Sequence, residues 1–129
     1  IYGSEIARGL DVLELKPSAH LSQNEIDAAK LVRTDQFNAQ NQQRIAWPAS
    51  FVVARAYLDQ LRRNRGLAGR RLSSTASELD RAERLSRAEQ QAALTQLATV
   101  LENDARGARD AARVRAMAAA VRNIANARR

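Results

Sequence analysis

The 129-residue chain contains no cysteine, two prolines, five glycines, one histidine and five aromatic residues, and only two of its 21 basic residues are lysines. Each shortage excludes something. Without cysteine there is no disulfide, no thiolate nucleophile and no cysteine-ligated zinc or iron–sulfur centre. Compartment is not decided by this, because a chain of this length buries roughly two-thirds of its unfolded surface and needs no covalent staple. One imidazole excludes a histidine-clustered metal site. His20, just ahead of a helix start, reads as an ordinary loop residue, since no nucleophile elbow accompanies it. The GLAG stretch at Gly66–Gly69 lacks the third glycine and the preceding strand of a dinucleotide fingerprint, and no P-loop occurs. No run of about 18 apolar residues exists to span a membrane. No cofactor and no metal are therefore expected. The chain begins at Ile1 rather than Met, which keeps processing open and favours a periplasmic or secreted setting over a cytoplasmic one.

What is abundant is alanine, 26 residues, together with arginine, 19 residues. Alanine with few glycines and prolines is a helix-forming composition. The preference for arginine over lysine is as much the mark of a GC-rich, bacterial-like coding sequence as of chemistry.

Helix boundaries are written into a near-repeat. LSQNE from Leu21 and LSRAE from Leu85 each place a serine three residues ahead of a glutamate. That spacing lets the hydroxyl cap the helix while the carboxylate reaches back to the serine amide. Thr75 and Glu78 offer the same arrangement. These markers predict a short helix from Ser4 carrying Ile6, Leu10 and Leu13, a second from about Gln23 to Ile45, and a third from Pro48 to near Gly66. A fourth is expected over roughly Ala76 to Leu85, alone or continuous with a fifth over Arg87 to Ala105. The last begins after Gly107 and carries Val114, Met117, Ala118, Val121, Ile124 and Ala125 at helical spacing. DVLELK near Asp11 is the one strand-like stretch, too short to pair alone. Amphipathic stripes joined by short turns define an all-α fold, a single-domain antiparallel bundle of about four to six helices over residues 1–129.

Carboxylates are the remaining catalytic option, and Asp80 and Glu83 are helical neighbours. Arginines surround them at close spacing, so solvated ion pairing is the preferred reading. Positive charge is concentrated in two blocks, residues 46–72 at net +5 and 106–129 at net +6. In the first, Arg62, Arg63, Arg65, Arg70 and Arg71 offer bidentate donors to an anionic partner. Against this stands a plain helix end, where arginines complement the macrodipole. In the second block, Arg106, Arg109 and Arg113 flank one side of the apolar stripe and Arg115, Arg122 and Arg129 the other, as stems that cover a buried seam. Trp47, Phe51 and Tyr57 lie near the first block but fall on or beside an apolar stripe, so they are assigned to the core. The amide-rich segment DQFNAQNQQR offers Gln36, Gln40 and Gln43 as adaptable polar contacts.

These features predict a non-enzymatic binding or interaction module whose partner is a protein or a second copy of itself. The alternative is a nucleic-acid-binding module using the arginine clusters at 62–71 and 106–129, for which only non-specific association is expected.

Overall fold

The structure, a computed structural model, describes residues 2–7, 9–34, 38, 40 and 44–127. Its described helices are α1 (Gln23–Lys30), α2 (Phe51–Arg63), α3 (Gly69–Glu83), α4 (Arg87–Asp104) and α5 (Ala111–Asn126). Four of these five starts have a local side-chain cause. Ser22 accepts from the Glu25 amide (3.2 Å), and the Glu25 carboxylate accepts from the Ser22 amide (2.7 Å), a complete capping box. The same reciprocal arrangement opens α4 at Ser86 and Glu89. Ser50 accepts from Val52 to open α2, and Asp110 accepts from Arg113 to open α5.

Helices α2, α3, α4 and α5 pack in a ring, each against its two neighbours, with α1 laid on the outside of α2. Short turns make consecutive helices antiparallel. One core runs through the ring and contains Leu94, Leu97, Leu101, Val114, Met117, Val121 and Ile124, the residues the two matched stripes predict. Ala98, Ala105, Ala118 and Ala125 are buried among them. Small side chains there let α4 and α5 lie close, as dense interior packing requires. On α1, Ala28 joins Val53 and Ala56 in a second small cluster. This is the all-α antiparallel bundle read from the sequence.

Four boundaries differ from those expected. The N-terminal segment is not a helix. It forms a hairpin of β1 (Tyr2–Glu5) and β2 (Gly9–Val12), in register Tyr2↔Val12 to Glu5↔Gly9. Gly9, at φ 89°, closes the turn in the left-handed region a short hairpin connection demands. Ile6, Leu10 and Leu13, the proposed stripe, are all exposed, so no core holds that segment helical. Helix α1 stops at Lys30 rather than Ile45, because after Leu31 the chain has no apolar stripe to set against α2. Helix α2 begins at Phe51, because the cap at Ser50 supersedes Pro48. Helix α3 begins at Gly69, seven residues ahead of expectation: Leu72, Thr75, Leu79 and Ala82 are one continuous buried stripe. Thr75 therefore sits inside a helix, and the Thr75–Glu78 pair is not a helix start. Arg84 ends α3 before Ser86 opens α4, so the two do not merge.

Candidate anion-binding cleft

The ring topology brings the C-terminal ends of α2 and α4 to the same pole as the N-terminal ends of α3 and α5. At that pole lies an open cleft of about 790 Å³. Arg62 and Arg65 come to it from the end of α2, Arg71 from the first turn of α3, and Arg109 from the α4–α5 turn. Chain segments nearly forty residues apart in sequence thus place four arginines around one space.

Ending α2 creates part of the site. The Gly66 amide donates to the Leu61 carbonyl (2.8 Å) and the Arg65 amide to the Arg62 carbonyl (3.3 Å). This is the Schellman pattern, and Arg65, not Gly66, takes its left-handed position at φ 53°. Glycine is favoured there, since a side chain in that conformation costs about 1–2 kcal/mol. Gly66 is fixed by sterics instead. A Cβ would meet Asn64 Oδ1 and Leu61 Cδ2 at 2.8 Å and Asp110 Cβ at 2.9 Å. Its carbonyl accepts from the Asp110 amide (3.0 Å), and Asn64 Nδ2 donates to Asp110 Oδ2 (2.9 Å). The end of α2 is thereby pinned to the start of α5, which sets Arg65 and Arg109 on the same cleft.

The charges do not balance. Arg71 donates twice to Asp104 Oδ2 (2.9 and 2.7 Å), a matched pair. Arg62 reaches Asp59 only at 3.5 Å. Among the described residues neither Arg65 nor Arg109 has an acidic partner. Beside them Ala68 and Gly69 line the cleft at the start of α3, which has no side-chain cap and no acidic residue in its first turn. Free amides at the positive end of the macrodipole, flanked by two unpaired arginines, make a surface of excess positive potential suited to carboxylate or phosphate oxygens. Among the described residues no aromatic side chain lines it.

The predicted anion-binding set is divided by this geometry. Arg62, Arg65 and Arg71 come together in the cleft. Arg70 is exposed but does not line it, and Arg63 turns the other way. Both terminal nitrogens of Arg63 donate to the Glu25 carboxylate at 2.8 Å, which ties α1 to α2. Those bonds and the Ser22 amide hold Glu25 well below the usual carboxylate range, at about 2, against the opposing effect of its burial. Helical spacing places Arg109 on a flank of the last helix, and the structure differs. Asp110 caps α5, so Arg106 and Arg109 lie on the preceding turn. The signal was Asp110 itself, the strongest cap residue between Gly107 and the apolar stripe.

Elsewhere, the aromatic assignments divide. Phe51 and Tyr57 pack on the core, while Trp47 stays 41% exposed at its edge. Asp80 and Glu83 both accept from Arg55 Nη2 (2.8 and 2.7 Å), consistent with charge pairing between α2 and α3. Arg113 donates to Gln60 and Arg122 pairs with Glu102, whereas Arg129 lies outside the described residues. Gln36 and Gln43 also lie outside them. Gln40 is exposed, and its amide donates to Asn38 Oδ1 (2.9 Å). No helix described is long and apolar enough to cross a membrane. No protein-family model, curated protein or solved structure matches the chain.

Proposed function

We propose that this protein is a non-enzymatic interaction module that binds an anionic partner in the cleft between the α2–α3 and α4–α5 turns. One observation carries the reading: Arg65 and Arg109 line the same cleft with no acidic partner among the described residues, beside an uncapped helix start. Arg65 adds weight, because the chain accepts a disfavoured backbone conformation at a position where glycine is the stable choice. Asp80 and Glu83, the neighbouring carboxylates that acid–base work would use, both accept from Arg55. Nucleic-acid binding is the weaker alternative, since stacking of bases needs aromatic rings and, among the described residues, none lines the cleft.

The test is fluorescence anisotropy with a labelled hexaglutamate peptide, comparing the native chain with an Arg65→Ser, Arg109→Ser double variant. Native protein binds, binding weakens as salt rises, and the variant loses about tenfold or more, the equivalent of one well-formed charged hydrogen bond. Equal binding by both proteins removes the cleft from consideration.

A further inference from the structure

The cleft does not end at Arg71. The same side chain lines a second groove, of about 260 Å³, that runs along the α3–α4 seam to Arg81. From Arg71 to Arg81 is about 15 Å at 1.5 Å per helical residue, the reach of about five extended residues. At this groove lies Thr75, 1% exposed. Among the described residues its hydroxyl is the buried side-chain group left without a hydrogen-bond partner. Buried hydroxyls are nearly always satisfied, so this one is an unmet group beneath the groove floor, within reach of a ligand only where the α3–α4 seam parts. Gln96 lines the same groove and supplies both a donor and an acceptor.

We infer that the cleft and the seam form one track for an extended acidic segment of a partner protein. Carboxylates of the segment meet Arg65, Arg109 and the start of α3, and its backbone runs past Arg71 and engages Thr75 and Gln96. This rests on the anionic-partner reading above and adds the partner's class. A small anion would leave the seam unused. A nucleic acid would bring bases to a surface with no ring to stack on among the described residues, whereas a peptide brings amides that match a hydroxyl and an amide side chain. Gly69 leaves the track open, because a Cβ there would meet nothing within 4 Å, and its φ is not positive. An alanine at that position adds bulk to the cleft without disturbing the fold.

The experiment compares three probes of equal charge and label: a decapeptide alternating glutamate with leucine, the same peptide with serine for leucine, and a single-stranded oligothymidylate, with inorganic phosphate as competitor. Both peptides are expected to bind at least tenfold more tightly than the oligothymidylate. Thr75→Val and Gly69→Ala should each weaken peptide binding severalfold while melting no lower than the native chain. Arg65→Ser with Arg109→Ser should abolish binding of every probe. Oligothymidylate binding as tight as the peptides overturns the peptide assignment and leaves the anionic cleft standing. Peptide binding indifferent to Thr75 and Gly69 overturns the track. Indifference of every probe to Arg65 and Arg109 overturns the cleft, and with it both readings.

Discussion

Removing one carboxylate should release α1. Helix α1 has only eight residues and packs on α2 alone among the described elements. Isolated helices of that length are unstable, so its contacts must hold it. They are few: Ile26 and Ala28 are its buried residues, Asn24 donates to Asp59 (2.8 Å), and Glu25 accepts two bonds from Arg63. The Glu25 side chain is 8% exposed and that of Arg63 32%. Lowering its pKa from 4.5 to about 2 corresponds to about 3 kcal/mol favouring the ionised, docked form. Solvent around Arg63 screens part of that, so Glu25→Gln should weaken docking by about 1–3 kcal/mol at neutral pH. The sign follows from linkage. A carboxylate depressed in the folded state contributes in full above its unfolded pKa near 4.5 and loses its contribution as pH falls toward 2. Native chain and variant should therefore differ at pH 7 and converge near pH 2. Amide hydrogen exchange of Ile26–Lys30 is the assay, since release of α1 is local and need not lower the global melting point. Trp47, which shares a cavity with Glu25, Ala28 and Tyr57, gives a fluorescence readout of the same event. Identical exchange of α1 in both proteins at pH 7 would refute the reasoning.

Three further outcomes follow from packing and backbone geometry. Leu101, fully buried between α4 and α5, should lose about 2–5 kcal/mol on change to alanine, measured by denaturant melting; a loss below half a kilocalorie would contradict the core assignment. Gly66→Ala should destabilise by about 1–3 kcal/mol, because its methyl meets atoms at 2.8–2.9 Å in the joint between α2 and α5. Arg65→Gly should do the opposite, raising stability by up to about 1 kcal/mol through relief of the left-handed conformation while weakening anion binding.

Local rules made much of the fold legible, and failed where tertiary contacts decide. Capping boxes at Ser22 and Ser86 located α1 and α4 because they depend on residues three apart. The stripes of α4 and α5 named their shared core because a helix of fixed period has to bury its apolar face. The same rule made a helix of the segment that carries Ile6, Leu10 and Leu13, where periodicity exists but all three side chains are exposed, and it extended α1 to Ile45, past its cap at Leu31. Thr75 looked like a cap because its spacing to Glu78 is right. Leu72, one turn earlier, shows that the helix has already begun. The cleft was half visible. Its arginines at 62, 65 and 71 form a dense block, but the exclusion of Arg63 depends on Glu25, 38 residues away, and the inclusion of Arg109 on the docking of α5 against the end of α2. Neither pairing leaves a trace in local composition. The left-handed Arg65 has no local signal, because Gly66, the residue type that a helix end favours in that conformation, stands one position later.

The central claim is that the α2–α3 and α4–α5 turns receive an anionic partner. Its most direct test is a nuclear magnetic resonance titration of the isotopically labelled chain with hexaglutamate at low salt, read residue by residue. Saturable shifts should concentrate in the amides of residues 65–72 and 103–109, weaken with added salt, and vanish when Arg65 and Arg109 are both serine. Shifts that instead spread over all exposed arginines, or that centre on the exposed hairpin of residues 2–12 and survive the double substitution, would contradict it.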